Sequence, residues 1–290
     1  MNFIETLFNG LSMGSTYAMI ALGYTMVYGI AKMLNFAHGD IIMVGGYMIF
    51  VTLTATGNPL LGLLVAVTCC VLLGVGIEKV AYKPLRGASP LAVLITAIGV
   101  SYLLQSLAQI IFGTAPKMVN VADLGNLNVA GLTIPVYTLV TLGCSMVIML
   151  ILTLFVKYTR IGRAMIAVSE DRGAAQLMGI NVNGIIMITF AIGSALAAFA
   201  GLFMLMKSPS LTNTLGAMPG IKAFTAAVIG GIGSIPGAML GGILMGVVEA
   251  ISLTIPAIAP YTDAIEFIIL IIILLVRPTG ILGKKRREKV

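Results

Sequence analysis

The single histidine of this 290-residue chain, His38, lies in the short polar stretch NFAHGD between two apolar segments. Imidazole is the commonest general base, but catalysis also needs a nucleophile or a metal held beside it. No such partner accompanies His38. The three cysteines, Cys69, Cys70 and Cys144, lie in apolar runs without metal-ligand spacing. The sequence therefore predicts no catalytic residue, no metal site and no cofactor, and an intramembrane hydrolase is the least favoured function.

The NFAHGD stretch allows two interpretations. In one, Asn35 or Asp40 is a helix N-cap, because both side chains accept hydrogen bonds from free backbone N–H groups, and His38 is an interfacial residue. In the other, the stretch is a polar turn at one mouth of a path through the protein. Asn35 and His38 are therefore candidates for lining such a path.

Four ionisable residues, Lys222, Glu249, Asp263 and Glu266, lie in or beside apolar segments near the C-terminus. A charge at the centre of a membrane helix costs about 2.5–3.5 kcal/mol on insertion scales, so each needs a reason. Asp263 and Glu266 fall in the first turns of the last segment, where the helix dipole favours acids, and this predicts capping. Lys222 and Glu249 either reach an interface with their charged ends, or they face a cavity or pair across it.

The stretch SEDRGAAQLMGI, residues 169–180, is unusually polar for this chain. If 164–178 forms one helix, the residues on one of its faces are mostly small. They are Ala164, Ala167, Val168, Asp171, Ala174, Ala175 and Met178. Gly179 then supplies a helix stop. Such a helix either docks in a groove of a partner protein or is a solvated connection.

The rest of the chain decides the class of protein that positions these residues. Hydrophobic residues make up 59% of the sequence and charged residues only 9%, which excludes an ordinary soluble domain. Because a membrane helix needs about 20 apolar residues, the chain is predicted to be an all-α polytopic membrane protein with about eight transmembrane helices. Apolar segments lie near 5–29, 40–57, 60–80, 91–112, 135–156, 184–206, 218–233, 236–255 and 262–277. The segment 218–233 is short for a full span.

The basic residues indicate topology, not nucleic acid binding. With the N-terminus outside, the positive-inside rule places the 17 Lys and Arg residues on the cytoplasmic side, except Lys117, Lys207 and Lys222. The polar loop 157–183 and the basic tail 277–290 are then cytoplasmic. We expect one transmembrane domain over 1–290, without a soluble module.

The 34 glycines often recur four residues apart, as in Gly10 with Gly14 and Gly242 with Gly246. This spacing is typical of closely packed membrane helices. The glycines from Gly230 to Gly237, which include Gly233, are open to a second interpretation as a break between two half-helices beside a substrate path. The same stretch is no ATP-binding loop, because it lacks the lysine of that motif.

Six blocks in order resemble the membrane permeases of bacterial branched-chain amino acid ABC importers, the high-affinity leucine/isoleucine/valine type. They are NGLSMGSTYAMIALGYTMVYGI, NFAHGD, VAYKPLRG, GRAMIAVSEDRGAAQLMGIN, KAFTAAVIGGIGSIPGAMLGG and RPTGILG. The resemblance implies an inner-membrane subunit that works with a second homologous permease subunit, two cytoplasmic ATP-binding subunits and a periplasmic substrate-binding protein.

The resemblance also implies a coupling helix with the pattern E-A-A-x-x-x-G that is seated in the ATPase. Ala174, Ala175 and Gly179 match this pattern, whereas Gly173 stands at the position of the acid. Glu170 or Asp171 is then the acid that contacts the ATPase.

The resulting hypothesis is an ATP-driven permease that carries no enzyme activity of its own. Its translocation path is expected to include Asn35, His38, Lys222, Gly233 and Glu249. Leucine, isoleucine and valine are the expected cargo; urea or short-chain amides are the alternative, and a passive channel is the rival outside this class.

Overall fold

The computed structural model describes residues 3–121, 124–129 and 132–283, and nearly all of these residues are helical or connect helices. The helices are α1 Phe3–Ala31, α2 His38–Thr56, α3 Pro59–Ile77, α4 Pro90–Phe112, α5 Val136–Tyr158, α6 Arg160–Glu170, α7 Arg172–Leu177, α8 Val182–Lys207, α9 Ala217–Gly230, α10 Ile235–Thr254 and α11 Thr262–Val276. A π-helical turn at Glu78–Tyr82 and 3-10 turns at Lys83–Leu85 and Ala259–Tyr261 extend or precede them.

Among the residues that the structure describes, four short strands form two small antiparallel pairs. Strand β1 Lys117–Met118 pairs with β4 Ser210–Leu211, and β2 Asn126–Val129 pairs with β3 Leu132–Pro135. The first pair joins the connection between α4 and α5 to the connection between α8 and α9. Both pairs therefore lie at one end of the helix bundle, where they tie loops together.

Side-chain caps explain where several helices begin. Asn58 accepts hydrogen bonds from two backbone N–H groups of α3, and Ser89 accepts one from Ala92 of α4. Asn181 and Ser234 cap α8 and α10 in the same way. Each cap satisfies a donor that would otherwise be unpaired at a helix N-terminus.

Seven helices of the described residues are long and apolar enough to cross a membrane, namely α2, α3 with its extension, α4, α5, α8, α10 and α11 with the turn before it. Helix α1 has 29 residues and is therefore about 43 Å long. It is less apolar but largely buried, and it packs against α5, α8, α9 and α10 at the centre of the bundle. The prediction of an all-α polytopic membrane protein with about eight transmembrane helices is confirmed.

Glycines bring α1 and α10 into backbone contact. A Cβ atom at Gly246 would overlap the backbone of Gly14, and a Cβ atom at Gly242 would overlap the backbone of Ala18. A Cβ atom at Gly10 would lie 3.0 Å from the Cα atom of Val247. The glycines that the sequence spaces four apart therefore pack these two helices tightly, in the way that small residues do in lipid.

Helix α9 has only 14 residues, about 21 Å, and cannot cross a hydrocarbon core of about 30 Å. The prediction of a short segment here agrees with the structure. A nonhelical segment, 208–216, leads into α9, and Gly216 packs directly against Gly39 in the first turn of α2. The helical structure is therefore interrupted between α8 and α9.

The glycines of 230–237 break the helical structure, because α9 ends at Gly230 and α10 begins at Ile235. Gly231 and Gly233 have φ angles of 106° and 94°, which reverse the chain, and α10 then runs back along α9. Gly230 packs on Gly237, and Gly241 packs on Ala226. The prediction of a broken helical element is therefore confirmed, and the same glycines allow a tight turn and close helix packing. That this element lines a substrate path stays a prediction.

Most of the described basic residues lie at one end of the bundle, which we call the basic face. This end of the bundle consists of the loop 32–37, the turns 78–89, helices α6 and α7, the α9–α10 turn and the segment 277–283. The last of these caps α9, because Ile281 donates its N–H to Ile229 at 2.8 Å and Leu282 donates to Gly230 at 2.9 Å. Residues 284–290 of the predicted basic tail lie outside the described residues.

Candidate functional site

The predicted helix 164–178 is interrupted at Asp171. This residue has an extended conformation, φ −151° and ψ 113°, and its carboxylate accepts a hydrogen bond from Ala174 N–H at 3.0 Å. It therefore ends α6 and caps α7, and the expectation of one continuous helix was wrong. Gly179 does end α7 as predicted, with φ 80°, while Ile180 donates its N–H to Ala175 at 3.0 Å.

The two faces of α7 differ in exposure. Ala174, Leu177 and Met178 share the outer face, and the last two side chains are 90% and 82% exposed. Ala175 lies on the inner face and is only 4% exposed, since it packs against the bundle. The placement of Ala175 on the docking face was therefore wrong.

Glu170, Asp171 and Gly173 are exposed beside the outer face of α7. We call Glu170, Asp171, Ala174, Leu177 and Met178 the coupling surface. A projecting Leu–Met pair next to a small residue and two acids is typical of a protein–protein contact, because water does not favour such apolar exposure. Gly173 has no side chain at the position where the E-A-A-x-x-x-G pattern has its acid. The carboxylate of Asp171 already accepts the capping hydrogen bond from Ala174.

Arg172, which the sequence pattern did not single out, joins α7 to the central helix. Its guanidinium donates to the carbonyl of Ile30 at 3.3 Å and to that of Ala31, both at the C-terminus of α1. A cation is favourable there because the last carbonyls carry the negative end of the helix dipole. Burial and the nearby charge of Arg86 lower the pKa of Arg172, but an arginine stays protonated in proteins.

In the importer that the sequence resemblance implies, we expect the Arg172→Gln variant to lower the uptake rate at least about tenfold, because hydrogen bonds to a charged group contribute roughly 1.5–3 kcal/mol. ATP hydrolysis by the assembled complex should continue, since the outer face of α7 is unchanged. Arg172→Lys should be intermediate, because an ammonium cannot reproduce the guanidinium fork. Arg163→Gln, an exposed arginine of α6, is the matched control. Equal uptake by the Arg172→Gln and Arg163→Gln variants would exclude this link.

The polar groups of NFAHGD are buried and face neighbouring helices. Asn35 accepts a hydrogen bond from the Tyr82 hydroxyl at 2.9 Å, and Asp40 accepts one from Gln105 of α4 at 2.9 Å. Helix α2 begins at His38 without a side-chain cap, so the N-cap interpretation of Asn35 and Asp40 was wrong. His38 is 1% exposed and packs edge-on against Tyr24, with 4.8 Å between ring centroids.

Lys222 of α9 is the centre of a buried ionic cluster. Its ammonium lies 2.9 Å from Glu249 of α10, 2.8 Å from Asp263 and 3.3 Å from Glu266, both of α11. Of the two interpretations of Lys222 and Glu249, pairing inside the protein is therefore the correct one. Asp263 and Glu266 were expected only to cap the N-terminus of α11 by interacting with the helix dipole. That explanation is incomplete, because both carboxylates also pair with Lys222.

The cluster fastens three helices together in an environment where charges are costly. One ammonium faces three carboxylates, and Glu266 is completely buried. Charges in such a place persist only when they are paired and hydrogen-bonded. Lys222 is therefore the group on which the packing of α11 against α9 and α10 depends most.

We expect the Lys222→Met variant to lose stability by about 3–5 kcal/mol, because it leaves the buried carboxylates of Glu249 and Glu266 without their cation. Thermal unfolding of the purified protein should shift downward by roughly 10 °C. Lys222→Arg should keep most of the stability, and adding Glu249→Gln to Lys222→Met should restore part of it. The control is Lys117→Met, a lysine of strand β1. Unfolding temperatures that agree between Lys222→Met and Lys117→Met would contradict this role of the cluster.

The structure separates the five predicted path residues into two groups. Asn35, His38 and Gly233 lie toward the basic-face end of α1, where Gly233 approaches Gly29. Lys222 and Glu249 pair with each other farther from that face, near Tyr17 of α1. The five residues therefore do not form one site.

A cavity of about 380 Å³ opens at the end of the bundle opposite the basic face. It lies between α1, α5, α8 and α10. Its walls are Thr6, Asn9, Ser12, Met13, Tyr137, Lys207, Ala250, Leu253 and Thr254. This cavity was not predictable from the sequence, because its walls come from four separated segments without a common motif.

The sequence of this chain is similar to those of known proteins over its whole length. Residues 6–274 match the family model described as "Branched-chain amino acid transport system / permease component". The high-affinity branched-chain amino acid transport system permease proteins BraD of Pseudomonas aeruginosa and LivH of Escherichia coli are each 43% identical to this chain. These matches cover 100% and 99% of this chain and 98% of each relative. The ribose import permease protein RbsC of Haemophilus influenzae is 27% identical over 84% of this chain and 76% of its own length.

Proposed function

Because this chain belongs to the family of branched-chain amino acid transport system permease components, we propose that it is the membrane subunit of an ABC importer for leucine, isoleucine and valine. The observation that carries the mechanism is the coupling surface, which projects from the basic face and is joined to α1 through Arg172. The chain itself then forms the path through the membrane, and ATP hydrolysis takes place in partner subunits.

The proposed assembly contains a second homologous permease, two ATP-binding subunits and a periplasmic binding protein. The basic face is cytoplasmic in the bacterial inner membrane, since Lys and Arg residues concentrate there and the positive-inside rule applies. The ATPases then contact the coupling surface and the binding protein docks at the opposite end. The C-terminus is also cytoplasmic, because the segment 277–283 lies on the basic face.

Movement of the ATPases reaches the bundle through α7. Arg172 passes a displacement of α7 to the end of α1, and α1 is in backbone contact with α10 through Gly14 and Gly246. Rigid helices in such close contact move together more readily than they deform. Rocking of α1 and α10 against the other helices then alternates the opening between the two sides of the membrane.

The test is uptake into proteoliposomes that contain the complete importer, with ATP inside and labelled solute and binding protein outside. We expect concentrative uptake of leucine, isoleucine and valine that stops without ATP. Preferred uptake of urea or a short-chain amide would show that the cargo is not an amino acid, but it would leave the proposed ATP-driven mechanism unchanged. Equilibration of leucine without ATP or partner subunits would instead identify a passive channel.

A further inference from the structure

The cavity at the end opposite the basic face combines a cation with an apolar wall. Lys207, the last residue of α8, lines it and is exposed. Lys207 forms no ion pair with any residue that the structure describes, whereas Lys222 binds three carboxylates. Because an ammonium that lines a cavity without a protein partner can bind an anionic group of a ligand, Lys207 marks one pole of a candidate site.

The opposite charge lies beside the inner wall of the same cavity. Glu249 directly precedes Ala250, which lines the cavity, and is close enough to Lys207 for their charges to interact. Glu249 belongs to the cluster in which one bonded ammonium is shared by three carboxylates. An incoming ammonium group would therefore find an acid-rich environment at this side of the cavity.

The remaining wall suits a small amphiphilic solute. Asn9, Ser12 and Tyr137 provide hydrogen-bonding groups, while Met13 and Leu253 provide apolar surface. A volume of about 380 Å³ is at the lower end of the range for small-molecule sites, which is about 300–1,000 Å³. A neutral solute such as urea would leave the charge of Lys207 unused.

We propose that this cavity is an entry site for a zwitterionic amino acid, whose carboxylate binds Lys207 and whose ammonium is directed toward Glu249. The inference rests on the proposed function, since it assigns a site to the cargo of that importer. It adds that the permease itself, and not only its binding protein, distinguishes an amino acid from a neutral amide.

The test uses a cysteine reporter in the cavity, Thr254→Cys, in the complete importer held in lipid nanodiscs, with Cys144 replaced by serine to remove an exposed thiol. A charged thiol reagent labels the reporter, and the leucine concentration that halves the labelling rate is measured. Lys207→Gln should raise that concentration about tenfold or more, as expected for loss of a charge-assisted hydrogen bond. Lys207→Arg should raise it less, because the charge remains.

Ligand analogues and a matched variant complete the experiment. Leucinamide, which lacks the carboxylate, should protect weakly, and equally with and without the Lys207→Gln substitution. The compound 4-methylpentanoate, which lacks the ammonium, should also protect weakly. Lys117→Gln removes a positive charge near the same end and should leave protection by leucine unchanged.

Three outcomes would overturn the proposal: no protection by leucine, equal protection by leucine and leucinamide, or the same half-protecting concentration in the Lys207→Gln and Lys117→Gln proteins. ATP-driven uptake is measured with the same importer without the reporter. Where that uptake is present and any of the three outcomes is found, the entry site fails and the proposed function stands. Where ATP-driven uptake of leucine is absent, the proposed function itself fails.

Discussion

An Ala174→Arg substitution should abolish uptake and release the ATPase from the membrane complex. Ala174 is exposed at the start of the outer face of α7, one turn from Leu177 and Met178. An arginine there replaces a methyl group by a long charged side chain beside the apolar Leu177 and Met178, and removing that charge from water inside a contact is costly. Because arginine is a good helix former, α7 itself should persist.

The measurement is co-purification of the ATPase with the permease, together with uptake by the same sample. Ala174→Ser is the control, since it keeps the small volume, and it should retain both. Ala175→Arg is not an equivalent test, because Ala175 is buried and an arginine there would disturb the packing of α7 on the bundle. Normal assembly and transport by the Ala174→Arg permease would show that α7 does not dock the ATPase.

A Gly246→Leu substitution should prevent the permease from accumulating as a folded protein. A Cβ atom at position 246 would overlap the backbone of Gly14, and backbone atoms cannot move aside as a side-chain terminus can. Overpacking usually costs about 1–3 kcal/mol, and here the added leucine must separate the two central helices along their length. The expected result is loss of the monodisperse protein peak in detergent.

The matched control is Gly99→Leu in α4, where a Cβ atom would meet nothing within 4 Å. That substitution should be tolerated or slightly stabilising, since leucine favours helix over glycine by roughly 0.5–1 kcal/mol. Gly246→Ala should lie between the two. The close packing of α1 on α10 would be excluded if both leucine variants gave the same yield and the same unfolding temperature.

The helix pattern was predictable because lipid imposes a length and an apolar composition on each span. The bounds of α4, predicted as 91–112 and observed as Pro90–Phe112, show how closely this constraint acts. The basic residues predicted that these loops share one face of the membrane protein, and the hydrogen bond from Arg86 to Asn183 joins the turns 78–89 to the start of α8 on that face.

Contacts between distant segments were not predictable from periodicity. Lys222 and Glu249 were recognised as costly charges, but the pairing of Lys222 with Asp263 and Glu266 depends on how α11 packs. Lys207 could not be recognised from the sequence as a candidate binding residue, because it lines a cavity that forms only where four helices meet. The pattern of small residues in 164–178 also concealed the interruption at Asp171, which a local hydrogen bond decides.

Crosslinking from position 177 tests the coupling surface most directly. A photoreactive thiol reagent attached to Leu177→Cys, in a permease whose native cysteines are replaced, should crosslink to an ATP-binding subunit in the intact importer. The yield should change when ATP is bound, because the ATPase is expected to move α7. The same reagent on Thr254→Cys, at the opposite end of the bundle, should give no such product. Absence of the crosslink from position 177 in an importer that transports leucine would contradict the account.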